Sequence, residues 1–475
     1  MPTTGMRVLL RLGAAVVSAA MCAPGSATRA ETPDAAGHAS APGTLEGRPA
    51  GHETSPLQAR LDAAPGGATI EVPPGVYEGD LLIDRPVRLV GLGRPRLVGS
   101  GRGSVVRVRA DDVTIEGFDV DGRGGGNLGR DSSGIHIAAR RGRVRDCRID
   151  RALFGIYLRE ADGARVEQCT IRGIPGKDPG EKGSGIHVWN TRGFTLAGNT
   201  VTDARDGFYI QSSPGGVIVR NAVRDVRYGI HYMFSDDNRF EDNTFENGAA
   251  GAALMYSKQI LFRRNAFVRN RGFASVGLLF KACDDVVAED NLIADNARGI
   301  FLEGSYRNVL RRNLIAGSDV AIVLYDSCGG NRIEDNVFVG NMTPLTLVGK
   351  RTDTAFEGNY WSENDEPDLD GDGRSDRPYP LGSVFDHFRG NLTAADLMSV
   401  GPAAAAVAAA ERAFPVLQGV AVFDPSPRVR PLELRDVPAS ATRAGRADAA
   451  GLVVSLGALA GGGMALLAGR RRRAA

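Results

Sequence analysis

Apolar residues along the middle of the chain come in pairs, one and three positions after a glycine. Ile135 and Ile137 follow Gly134, Ile156 and Leu158 follow Gly155, Ile186 and Val188 follow Gly185, Phe208 and Ile210 follow Gly207, and Ile300 and Leu302 follow Gly299. The residues between them are polar or mixed, which is the alternation of a short strand with one buried face. The anchor recurs as Gly134, Gly155, Gly185, Gly207, Gly229, Gly251, Gly277, Gly299, Ala321 and Thr343, and most steps are 21 or 22 residues long. Two steps are longer, 155 to 185 and 251 to 277. Units of this size, each carrying strand patterning, predict a stack of coils.

Two further columns keep the same period. Eight residues before the anchor stand Cys147, Asn199, Asn221, Asn243, Asn291 and Asn313, with Cys169 and Asn265 once the long steps are allowed for. Six after it stand Thr191, Ser213, Ser235, Ser257, Cys283, Ser305 and Ser327. Coils stacked at roughly 4.8 Å explain all three columns, because identical amides one above another hydrogen-bond along the stack. The predicted fold is therefore all-β: a right-handed parallel β-helix solenoid, pectin-lyase-like, with three short strands per coil. A leucine-rich solenoid would need helical or leucine-consensus segments that are missing. Residues 68–77 and 113–118 read as first coils and 57–64 as a capping helix, since a stack must be closed at its end. Cys147 and Cys169 fall on adjacent coils within disulfide range, and the sequence leaves open whether that bond forms.

Gly 62 and 6% aromatic residues suit many tight turns and argue against long helices in the middle. Lys+Arg 57 against Asp+Glu 56 gives a net charge of +1, which excludes the basic field that nucleic-acid binding needs. The ends predict export. Residues 1–30 read as a signal peptide, with Arg7 and Arg11 before an apolar stretch and Thr28-Arg29-Ala30 at the cleavage region. Residues 31–55 read as a flexible linker, 56–362 as the β-helix, and 363–450 as an acidic loop followed by a short helical or irregular tail. Residues 451–473 read as a transmembrane helix with an arginine stop in the cytoplasm, placing the body on the other side of the membrane; a removable sorting signal is the competing reading.

Both long steps insert their extra residues at one edge of the stack, as 175–182 and 270–275, and insertions on one edge often mark a working face. Just past that edge the outward positions read His136, Tyr157, His187, Tyr209 and His231, and two residues on Trp189, Gln211, Met233, Met255, Lys281 and Glu303. The three histidines are two coils apart, roughly 10 Å, too far to share one ion. His231 with Met233 and Met255 forms a candidate soft site suited to Cu(I). The competing reading makes His136, Tyr157, His187, Trp189, Tyr209 and Lys281 an aromatic face that packs on a partner. Asp368, Asp370, Asp372, Arg374 and Asp376 fall at positions 1, 3, 5, 7 and 9 of a calcium-binding loop with glycine at 6, although Tyr379 stands where the bidentate glutamate belongs. A plain acidic turn is the alternative. Nucleophile-elbow, phosphate-loop and zinc-protease motifs are missing, and carboxylates such as Glu160 and Glu303 are scattered, so a non-enzyme is expected; the runner-up is a uronate polymer epimerase or lyase.

Residues 229–257, Asn270-Arg271-Gly272, Gly277-Leu278-Leu279-Phe280-Lys281, Gly358-Asn359-Tyr360-Trp361-Ser362, the acidic run 368–376 with Pro378-Tyr379, Glu411 to Leu417 and Asp424-Pro425-Ser426-Pro427 together resemble the NosD family. The likeness covers residues 56–431, most of the chain. The resemblance implies a periplasmic maturation protein for nitrous oxide reductase, working with an ABC-type transporter and a copper chaperone and binding copper transiently. It supplies no ligand set to carry over. One departure, Ser362-Glu363-Asn364-Asp365-Glu366-Pro367, replaces a more aromatic lead-in to the acidic loop and weakens the calcium reading.

Overall fold

The computed structural model describes residues 55–126, 128, 132–272, 274–382 and 422–439, which all lie in the larger of two compact units, Glu46–Ala475. The segments expected to be a signal peptide and a linker, save residue 55, together with the tail centre and segment 451–473, fall outside the described residues. Among these residues no helix is long and apolar enough to cross a membrane.

The repeat becomes three parallel sheets that run the length of the stack. Sheet A has thirteen strands from Ala68–Val72 to Ala355–Glu357, sheet B thirteen from Val76–Glu78 to Tyr360–Trp361, and sheet C twelve from Leu81–Ile83 to Thr343–Val348. Every strand of these sheets pairs with the strand one coil away, which makes the fold a β-helix. The apolar pairs behind each anchor point inward: Ile230 and Tyr232, Ala252 and Leu254, Leu278 and Phe280 are all fully buried. Inside, like rings lie over like, as in Phe240 over Phe262 at 4.7 Å and Phe338 over Trp361 at 4.0 Å.

The anchor is glycine because the backbone of the next coil passes too close for a side chain. A Cβ on Gly277 would lie 2.7 Å from the Gly299 carbonyl oxygen, and one on Gly251 2.5 Å from that of Gly277. Spacing alone slips in the last coils, which are one residue longer. Val320 pairs with Thr343, so Pro344 and not Thr343 follows Ala321 at the anchor position. Likewise Cys328, not Ser327, continues the hydroxyl column, its Sγ accepting from Ser305 N at 3.5 Å.

The asparagine column is a continuous buried ladder. Each amide Nδ2 donates to the Oδ1 one coil on, from Asn199 to Asn221 (3.0 Å), Asn243 (2.9 Å), Asn265 (2.9 Å), Asn291 (3.0 Å), Asn313 (2.9 Å), Asn336 (2.9 Å) and Asn359 (3.0 Å). The same Oδ1 atoms accept backbone N–H groups, as Asn199 N to Asn221 shows at 2.9 Å. Below it, Cys147 and Cys169 stand as buried free thiols.

Both ends are closed by side chains that imitate a further coil. Helix α1 (Pro56–Ala63) starts on Ser55, whose hydroxyl accepts from Gln58 N, and its apolar Leu57 and Leu61 cover the first coil. The Gln58 amide forms a reciprocal pair with the Leu82 backbone, 2.8 and 2.9 Å, satisfying the first strand of sheet C. At the far end the chain returns as a strap over residues 422–439. Phe423–Asp424 pairs antiparallel with Tyr379–Pro380, Arg428 bonds Asp335 at 2.8 Å, and Val437 packs against Ala266, Val268 and Leu292. Asp424, wholly buried, accepts from Asn359 N (3.0 Å), Asn359 Nδ2 (2.9 Å), Gly358 N (3.1 Å) and Trp361 Nε1 (3.3 Å), taking the place of the next asparagine. The described parts of 363–450 contain turns and a two-stranded ribbon, and the segment expected to form the alanine-rich helix lies outside the described residues.

Candidate functional site

The candidate residues lie on the outer face of sheet C. Register places His136, Tyr157, His187, Tyr209, His231 and Ala253 in one column, and Arg159, Trp189, Gln211, Met233, Met255, Lys281 and Glu303 in the next. These outward positions are less exposed than their direction alone suggests. His136, Tyr157, Tyr209, His231 and Met233 are buried, while His187, Trp189, Met255 and Lys281 are half-buried. Large rings at the coil spacing stack on one another and so shield each other. His136 lies over Tyr157 at 4.9 Å and His187 over Tyr209 at 4.4 Å, both nearly parallel, with Tyr157 to His187 at 4.4 Å between them. As an aromatic partner face, this column offers its edges; its ring planes are already used. Trp189 takes the Arg159 guanidinium over its ring at 5.3 Å, and Lys281 pairs with Glu303 at 3.2 Å.

Burial decides the charge state of the column. Desolvation, reinforced by Arg107, Arg159 and Arg109, pushes His136 down to about 3, and burial does the same for His187, so both rings are neutral at physiological pH. His136 Nε2 and His187 Nδ1 are buried without a hydrogen-bond partner.

His231 differs from both. Its Nδ1 lies 3.2 Å from Asp206 Oδ2, and Arg227 grips the same carboxylate through Nε (2.9 Å) and Nη2 (2.7 Å) while its guanidinium sits 4.3 Å over Tyr228. Burial opposes the Asp206 charge, but the His231 and Arg227 hydrogen bonds prevail and hold it at about 2. Met233 is two residues further on the same strand face, and Met255 is its partner in register one coil on. Asp206 and Arg227 carry no repeat signature, since the position before the anchor varies from coil to coil, and sequence reading missed them. It also missed Phe234 and Tyr256. These exposed, stacked rings (5.2 Å) follow the two methionines at positive φ, in a turn where neighbouring coils use Glu160, Asn190, Ser212 and Gly304.

At the calcium-loop candidate, carboxylate oxygens of Asp368, Asp370 and Asp376 lie within 4.8 Å of one another. Asp372 instead caps Arg374 N at 2.7 Å, and the Arg374 side chain turns away to Ser426, 2.9 Å from its hydroxyl. Three of the four carboxylates therefore gather.

Comparison with known proteins agrees with this architecture. Residues 168–367 match the family model described as NosD, periplasmic copper-binding protein. The chain is 34% identical over 378 residues to a probable ABC transporter binding protein NosD of Stutzerimonas stutzeri, covering 76% of this chain and 86% of that relative. A Pseudomonas aeruginosa protein of the same name is 36% identical over 372 residues, covering 75% and 87%. Among solved structures, the A-module of an Azotobacter vinelandii mannuronan C-5 epimerase superposes with a TM-score of 0.54 at 16% identity, over 63% of this chain and 94% of the module. A family 28 exopolygalacturonase of Yersinia enterocolitica gives 0.51 at 11%, over 66% and 75%. At such identities these two likenesses show the fold alone.

Proposed function

The chain belongs to the NosD family, and from that premise we propose that it is a periplasmic, non-enzymatic accessory protein that binds Cu(I) transiently during assembly of the copper sites of nitrous oxide reductase. Its partners in this reading are an ABC-type transporter, the reductase and a copper chaperone, and segment 451–473 is its anchor in the inner membrane.

One observation carries the copper reading: two methionines in register on adjacent strands, beside a histidine held by a carboxylate. Thioether sulfur and neutral imidazole nitrogen are the donors a soft Cu(I) ion takes in preference to hard cations. Copper is here cargo, and a half-buried thioether such as Met255 suits release as well as capture. Titrating Cu(I) against a competing chelator, with the intact protein and with Met233→Leu plus Met255→Leu, tests it. Weaker binding in the double variant is expected, and equal affinity removes the site.

The acidic loop is proposed as a weak calcium site of Asp368, Asp370 and Asp376, with Asp372 and the Arg374 carbonyl joining on binding. Calcium should raise the unfolding midpoint of the intact protein and leave that of Asp368→Ala unchanged. A midpoint indifferent to calcium and chelator in both would leave an acidic turn.

A further inference from the structure

Of the three histidines in the outer column, only His231 is gripped by a carboxylate. Two groups face His231 Nδ1: Asp206 Oδ2 at 3.2 Å, which can only accept, and Arg227 Nη2 at 3.3 Å, which can only donate and already donates to Asp206 Oδ2 at 2.7 Å; the shorter contact, to the carboxylate, calls for the proton on Nδ1. The nitrogen lone pair is then confined to Nε2, which makes no hydrogen bond among the described residues. A neutral imidazole of this tautomer is a ready metal ligand.

The ring is also fixed in orientation. Tyr209 and Tyr228 meet it edge-on at 4.9 and 5.4 Å, with interplanar angles of 78° and 88°. Arg227 locks the carboxylate from the other side and so keeps Asp206 charged and in place. In the next coil the position opposite His231 is Ala253, where the four preceding steps of the column put a ring opposite a ring. The ring stack therefore ends at His231, where the next coil presents a buried alanine methyl in place of a ring plane. His136 and His187 have no carboxylate partner: each lies against a tyrosine with one nitrogen unpartnered.

We infer that Asp206 is the positioning residue of the copper site: it fixes the Nδ1-protonated form of His231 and presents Nε2 to the ion. The inference rests on the reading of His231, Met233 and Met255 as copper-binding. In metal sites, loss of such an outer-shell partner typically costs about 10–100-fold in affinity.

The test is a Cu(I) titration against a chelator with the intact protein, Asp206→Asn, Arg227→Gln, and the Met233→Leu plus Met255→Leu pair. Nitrogen-15 NMR of histidine-labelled, metal-free intact protein assigns the His231 tautomer alongside. Expected are about a 10–100-fold loss in Asp206→Asn, a smaller change in Arg227→Gln, and an Nδ1–H signature for His231. If the methionine pair weakens binding and Asp206→Asn does not, the positioning role is wrong and the copper site stands. If the methionine pair binds copper as the intact protein does, the site itself is wrong. Should Asp206→Asn fail to fold, the NMR measurement decides alone: a proton on Nε2 of His231 overturns the assignment.

Discussion

At the scale of single residues, most of what holds the coil together is a polar or steric condition met identically many times. Asn243 is buried, donates to Asn265 Oδ1 and to the Ile218 carbonyl, and accepts from Asn221. Asn243→Leu leaves these groups unpaired and should cost about 1–3 kcal/mol per break, read as a lowered denaturation midpoint. Unfolding indistinguishable from the intact protein would remove the ladder from the account. Gly277→Ala should also destabilise, by about 1–3 kcal/mol, because the new methyl meets backbone oxygen, an amide nitrogen and Ile293 all inside 3.0 Å. The buried histidines give a pH signature. His136, held at about 3 when folded, stays neutral while the unfolded chain takes up a proton below 6.5, so stability should fall as pH drops from 6.5 towards 3. The slope is about 1.4 kcal/mol per pH unit for such a group. Replacing His136 by Phe should flatten that slope; an unaltered pH profile would show that the ring titrates normally. Asp206 acts lower, its contribution present above 3.8 and lost as pH falls through about 2.

At the scale of strands and turns, the sequence is legible wherever a constraint repeats and silent wherever it does not. Asn199 to Asn313 and Gly134 to Gly299 were readable because each coil imposes the same amide pairing and the same close approach on them. The outward direction of His231, Met233 and Met255 followed from alternation alone, and register confirms it. Burial did not follow, because the number of rings that stack on an outer face depends on neighbours one coil up and down. Asp206 was invisible for a related reason: it acts across the stack on a residue 25 positions away, from a column with no conserved type. The one-residue lengthening after Ser305 shifted two columns, which is how Thr343 and Ser327 were misplaced. The turn after the methionines invites a direct check. Phe234 and Tyr256 sit at φ 50° and 53°, where Gly304 sits at 57° without penalty. Phe234→Gly should therefore keep or raise thermal stability, although it removes a ring contact, whereas a large loss would mean that the stacked pair stabilises the turn more than the backbone strains it.

At the scale of the whole molecule, stability depends on nearest-neighbour coil contacts, so the two end coils need substitutes for the neighbour they lack. Gln58 serves at one end and Asp424 at the other. The segment between them and beyond, residues 392–423, carries apolar residues proposed to dock on the transporter; a chain ending at residue 391 should lose co-purification with it, and retained co-purification would place docking on the β-helix itself. That truncation also removes Asp424, so Asp424→Ala in the full chain is the necessary control: it should lower the unfolding midpoint, by about 3 kcal/mol or more from several orphaned donors, and leave docking intact. The terminal carboxylate has a further meaning. Every Oδ1 in the asparagine ladder faces the N-terminal coil and every carbonyl carbon the C-terminal one, so the amide dipoles add head to tail, as peptide dipoles do in an α-helix. Eight aligned amides leave partial positive charge at Asn359, and the chain answers with a negative one. The β-helix is thus polarised along its axis through its side chains, and Asp424→Asn, which keeps the shape and removes the charge, should cost more than the same substitution made at a ladder-free turn.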